Sequence, residues 1–148
     1  MSILLSSSEC LKVLGNPNTN ESKYMVLFDV PSHLEYGLIP RRIYCNKFMI
    51  FPLLVVFQNL IQRGYVGELT EWNGCFNIRG KKSNTSVFSL HAWGLAIDVN
   101  AKTNAYGAKP TLSDGFVKCF TDAGFDWGGV WAKPDGMHFQ LKRELVFK

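Results

Sequence analysis

The chain has three histidines, and two of them sit beside carboxylates at element ends: His91 lies seven residues before Asp98, and His138 three residues after Asp135. Two imidazole nitrogens and one carboxylate oxygen at ~2.0–2.2 Å form a common ligand set for catalytic zinc, with the fourth tetrahedral position left to water. Such a water is acidified from ~15.7 toward ~7, and a nearby carboxylate can take its proton and pass it to a leaving amine. Asp135, on the turn before His138, is the candidate base, and Arg79 is placed to neutralise the oxyanion of a tetrahedral carbonyl. Spacing alone leaves this chemistry level with blander readings. A His-x6-Asp pair also serves as a surface hydrogen bond, Asp135-Gly136 is an ordinary turn dipeptide, and Arg79 can simply solvate a strand end. His33 and the thiols read as structural.

The elements that must position these residues follow from periodicity. Residues 95–100 alternate, so a strand there sends Leu95, Ile97 and Val99 to one face and Ala96, Asp98 and Asn100 to the other. Residues 137–141 alternate likewise, packing Met137, Phe139 and Leu141 while His138 and Gln140 face away. Two adjacent antiparallel strands of this kind can place His91, Asp98 and His138 around one point. Gly94 and Ala96 leave room for a metal and a substrate to approach the backbone.

Elsewhere, residues 51–62 suit a buried helix with Pro52 in its first turn and Gly64 just past its end. Ser113 caps a second helix, whose Phe116, Cys119, Phe120 and Ala123 share one face. Residues 15–20 look like a turn, 25–30 a short strand, and Asn73-Gly74 a hairpin turn between strands at 67–72 and 75–79. Helices and antiparallel-type strands come in separate groups, so the fold class is α+β, a small antiparallel sheet with helices packed on one side.

A length of 148 residues suits one domain, 1–148, and 47% hydrophobic with 19% charged residues is ordinary globular composition. Net charge is +4, with no Lys/Arg run longer than two and no nucleic-acid-binding signature, which argues against a nucleic-acid partner. The four cysteines form no C-x-x-C pair. The N-terminus lacks a basic region followed by a long apolar core, so no export signal is expected. The most apolar stretch, 48–61, is too short and interrupted to span a bilayer, and no stable membrane insertion is expected.

The string Ser89-Leu-His-Ala-Trp-Gly-Leu-Ala-Ile-Asp98 matches, at every fixed position, the S-x-H-x-x-G-x-A-x-D motif of the zinc D-alanyl-D-alanine peptidases, a superfamily that includes the hedgehog signalling domain. Asp135-Gly-Met-His-Phe139 resembles its second motif, an acid three residues before the last histidine. In the carboxypeptidase and dipeptidase branches the acid is usually Glu and the residue after His usually Trp. Asp135 and Phe139 resemble instead the phage endolysin branch of L-alanyl-D-glutamate endopeptidases, as do Asn73-Gly-Cys-Phe-Asn-Ile-Arg79 and Gly124-Phe-Asp-Trp-Gly-Gly129.

The resemblance spans 40–141 and leaves 1–39 unassigned. It implies a hedgehog-like peptidase fold and one Zn2+ held by His91, Asp98 and His138. Asp135 is the implied base, Arg79 a substrate or transition-state contact, and Ser89 a support of the site. The implied substrate is the peptidoglycan stem peptide, cut by a monomer that gathers in host cytoplasm and reaches the wall once the inner membrane is permeabilised. A D-alanyl-D-alanine carboxypeptidase and a non-catalytic zinc-stabilised binding module are the alternatives on the same fold.

Overall fold

Local signals start the first two helices. Ser6 caps α1 (Ser7–Leu14), its hydroxyl accepting the Glu9 N–H at 3.1 Å, and Asn16 caps α2 (Pro17–Tyr24) through the Asn18 N–H at 2.9 Å. Pro17 takes the first helical position, where its missing N–H costs nothing. The computed structural model describes residues 4–146, and it therefore has a helix beginning where the sequence suggested a turn. Asn and Pro are turn formers and helix starters alike, and here the second role prevails.

After α2, β1 (Met25–Asp29) pairs antiparallel with β2 (Arg42–Asn46). Helix α3 (Ile50–Gln62) then buries Leu53, Val56, Phe57 and Leu60, the i, i+3, i+4, i+7 stripe of one helix face. The remaining elements are β3 (Trp72–Gly74), β4 (Ala96–Val99), α4 (Asp114–Thr121), β5 (Phe125–Trp127), β6 (His138–Leu141) and α5 (Arg143–Val146). The four strands form an antiparallel sheet in the order β3-β4-β6-β5. The fold is thus α+β with small antiparallel sheets.

The expected hairpin at Asn73-Gly74 does not form. Trp72 and Gly74 instead lie along β4, opposite Val99 and Asp98, with an irregularity between them. The backbone groups that a hairpin would need are bonded elsewhere. Asn100 Oδ1 accepts the Thr70 and Glu71 N–H groups at 2.9 and 3.1 Å, and the Asn77 N–H reaches the His91 carbonyl at 3.0 Å.

Helix α4 begins at Ser113, whose hydroxyl accepts the Phe116 N–H at 3.2 Å, and it buries Phe116, Val117, Cys119 and Phe120. Phe120 stacks on Phe139 of β6 with ring centroids 4.1 Å apart. Ile97, Val99, Phe139 and Leu141 are wholly buried, so one face of β4 and β6 is cemented into the apolar core. The other face carries Asp98, His138 and Gln140. There the segment leading into α1 arrives: Leu5 is buried, and its carbonyl accepts from Gln140 at 3.3 Å. Among the described residues no helix is long and apolar enough to cross a membrane.

Candidate metal centre

Pairing register creates the site. In the β4–β6 ladder Asp98 stands directly opposite His138, and Ala96 opposite Gln140. Alternation turns these side chains away from the Phe139 core. His138 Nδ1 lies 3.4 Å from Asp98 Oδ1.

His91 comes from a different piece of backbone, a short 3-10 turn over Leu90–Trp93. Ser89 begins that turn, and its hydroxyl accepts the His91 N–H at 3.3 Å. Its own N–H donates to the Arg79 carbonyl at 2.9 Å. Gly94 ends the turn at φ 65°, a conformation that glycine adopts without steric cost. The sequence suggested that Gly94 admits metal and substrate. It admits β1 and β2 instead: a Cβ there would meet Met25 Sδ at 2.6 Å and the Asn46 nitrogen at 2.8 Å. The turn is thereby docked so that His91 Nε2 lies 3.1 Å from Asp98 Oδ2.

One donor atom each from His91, Asp98 and His138 falls within 4.8 Å of the others. Donors at ~2.0–2.1 Å from a tetrahedral ion stand about 3.3 Å apart. His91 Nε2 lies 3.1 Å from one Asp98 oxygen, Oδ2, and His138 Nδ1 lies 3.4 Å from the other, Oδ1, so each imidazole nitrogen stands at about that spacing from its own carboxylate oxygen. His91 Nε2 and Asp98 Oδ1 are buried and make no hydrogen bond, although each has a polar neighbour in ion-pair range. Buried polar atoms left so are costly unless something else satisfies them. Lone pairs that converge without pairing are what a cation needs, and the residues present fit zinc.

Burial by itself would raise the Asp98 carboxyl. The His138 and His91 side chains beside it outweigh that and hold it well below the usual carboxylate range. On its far side His91 Nδ1 lies 2.6 Å from the Cys75 carbonyl, which can only accept, so Nδ1 carries the proton and Nε2 is free for a metal. Among the described residues no further His, Cys, Asp or Glu joins the three. The Cys75 thiol, whose own carbonyl holds His91 Nδ1, donates to the Gly94 carbonyl.

Beside His138 is a cleft of about 410 Å³, lined also by Asp135, Arg79 and Ser89. Asp135 is largely buried there and pairs with Lys82 at 3.4 Å. Its turn is held by the Trp127 indole N–H donating to the Gly136 carbonyl at 2.8 Å, and by the Asp135 N–H donating to Gly128 at 2.9 Å. Arg79 lines the cleft, while its guanidinium bonds the adjacent Gly80 carbonyl at 3.1 Å.

Several cleft residues were not singled out from sequence. Lys82 and Lys133 approach the face of Tyr106 at 5.5 and 4.6 Å, and with Arg79 and Lys81 they make the cleft wall cationic. Trp131 flanks His138 with ring centroids 5.3 Å apart. None of these stands at a periodic position, and only tertiary folding brings them together. Gln140 is different, because its alternation with His138 was visible in the strand pattern.

Residues 82–141 match a family model described as D-alanyl-D-alanine carboxypeptidase. That stretch contains Ser89, His91, Asp98, Asp135 and His138, and excludes Arg79 and the N-terminal segment. No curated protein and no solved structure matches the chain.

Proposed function

We propose, from the match of residues 82–141 to a family model described as D-alanyl-D-alanine carboxypeptidase and from the site geometry in that stretch, that this chain is an endolysin-type zinc peptidase hydrolysing the L-alanyl-D-glutamate bond of the peptidoglycan stem peptide. The observation that carries the hydrolytic part is the convergence of His91, Asp98 and His138, the last of which lines a cleft together with Asp135.

In this reading His91 Nε2, Asp98 and His138 Nδ1 hold the ion. Zinc, when bound, supplies Lewis acidity toward the scissile carbonyl and toward water. Asp135 takes a proton from the attacking water and returns it to the leaving amine, the two duties of a single general base and acid. Its burial in the cleft, with Lys82 at 3.4 Å, keeps the carboxylate in place between those transfers. Arg79 turns its guanidinium from the Gly80 carbonyl to the substrate oxygen as negative charge develops there. Ser89 fixes the backbone on which His91 stands.

The endopeptidase choice is supported by Asp135 and Phe139, which stand where the carboxypeptidase branches usually carry Glu and Trp. A cleft walled by Arg79, Lys81, Lys82 and Lys133 suits an acidic peptide. The description of the matched family favours a second reading, release of terminal D-alanine. Mass spectrometry of digested peptidoglycan separates the two. New D-glutamate N-termini support the endopeptidase; released D-alanine with an intact L-alanyl-D-glutamate bond overturns it in favour of the carboxypeptidase.

A further inference from the structure

We infer that Gln140 is a positioning residue for His138, fixing which imidazole nitrogen faces the cluster, and that the Leu5 carbonyl of the N-terminal segment sets the direction of the Gln140 amide. The inference rests on the zinc reading for its purpose but not for its geometry.

Gln140 is two residues beyond His138 on β6, on the same face, and is 5% exposed. Its side chain spans two partners. Oε1 lies 3.0 Å from His138 Nε2, and Nε2 of the amide donates to the Leu5 carbonyl at 3.3 Å. A carbonyl oxygen only accepts, so the Leu5 side must receive the NH2 end of the amide. The oxygen end is then turned to His138, and that oxygen too can only accept. His138 Nε2 must therefore carry a proton. The neutral ring keeps its lone pair on Nδ1, the atom 3.4 Å from Asp98 Oδ1.

The other imidazole is set in the same manner by one step fewer, since the Cys75 carbonyl contacts His91 Nδ1 directly. Each ring thus has its proton assigned by a main-chain carbonyl, and in opposite senses: His91 offers Nε2, His138 offers Nδ1. Partners of this kind raise the affinity of a site by holding ring and tautomer before the ion arrives.

Leu5 is anchored well enough to play this part. It is 2% exposed, the next residue caps α1, and Glu9 of that helix pairs with Arg143 at 2.7 Å. The Trp93 indole N–H also donates to the Gly15 carbonyl at 2.9 Å, tying the end of α1 to the turn that bears His91. Residues 4–6 line the cleft as well. A segment outside the matched stretch therefore reaches into the site.

The test is zinc affinity of the chelator-stripped full chain, by competition with a chromogenic chelator, for wild type, Gln140→Leu and Gln140→Glu, together with the nitrogen NMR signature of His138 in the metal-free proteins. Gln140→Leu should bind zinc about 10–100-fold more weakly and show mixed tautomers. Gln140→Glu, which keeps an acceptor toward His138, should stay within a few-fold of wild type. A merely structural role would lower the melting temperature of both variants without separating their zinc affinities, and that result overturns the inference. So does a wild-type His138 carrying its neutral-form proton on Nδ1, a readout that requires no variant to fold. If wild type binds no zinc, the peptidase reading fails, while the tautomer measurement still judges Gln140.

Discussion

Asp98 and His138 face each other across the β4–β6 ladder, with Oδ1 and Nδ1 3.4 Å apart. An antiparallel register is all-or-none for side-chain direction, because a slip of one residue turns every side chain to the other face. The packing of Ile97, Val99, Phe139 and Leu141 into the core consequently also fixes the metal pair on the opposite face. Stability and site geometry share one cause.

Asp135→Ala should retain zinc and lose about 10²–10⁴-fold in turnover on peptidoglycan, since it removes the proton carrier without touching a ligand. Turbidity loss of wall sacculi, with zinc measured on the same preparation, checks this. Wild-type activity in the variant would assign the proton transfer to another group.

Gly94→Ala should destabilise the fold by roughly 2–4 kcal/mol, combining a left-handed backbone with a Cβ that collides with Met25 and Asn46. Because Gly94 ends the turn that carries His91, zinc affinity should fall with stability. A thermal melt within a degree or two of wild type would mean that β1 and β2 yield freely.

Much of this site was legible from residue order, and the reasons are local. Alternation over 95–100 and 137–141 placed Asp98, His138 and Gln140 on one face, because a half-buried strand has period two. The helix at 51–62 and the Ser113 cap followed from helical spacing and cap chemistry. What sequence misjudged was decided by distant partners. Asn73-Gly74 has hairpin chemistry, but Asn100 and β4 claim the backbone around it. Gly94 has the freedom to admit a ligand, but two strands occupy that space. The roles of Leu5 and Lys82 depend on contacts more than 50 residues away along the chain, to Gln140 and Asp135, and no local pattern encodes them.

The four cysteines are buried and unpaired. They should react with a bulky disulfide reagent only as fast as the chain opens, and all four should react at once in denaturant. Burial, with Glu9 adding to it, pushes the Cys10 thiol up to about 12 from 9.0, and burial pushes Cys45 up equally. Both folded values are raised, so the stability they contribute is fully present below pH 9.0 and is lost as pH rises from there toward about 12. The slope is about 1.4 kcal/mol per pH unit for each thiol. Urea unfolding at pH 8 and above pH 10 should show a shallower alkaline loss in a Cys10→Ala/Cys45→Ala double variant. An unchanged slope would remove the thiols as the cause.

Asp98 acts at the other end of the scale. Its folded carboxyl lies below the usual range, so in the metal-free protein its contribution is present above that range and is lost as pH falls through the folded value. Acid unfolding of metal-free Asp98→Asn should lack this component. Zinc itself should leave earlier on acidification, as protons compete for both imidazoles.

The most direct test of the account is the zinc content and affinity of wild type against His91→Ala, Asp98→Ala and His138→Ala after chelator stripping and reloading. One ion per wild-type chain is expected, with affinity reduced by orders of magnitude in each variant. A variant that binds zinc as tightly as wild type, or a wild-type chain that takes up none, would contradict the three-residue centre on which the peptidase reading stands.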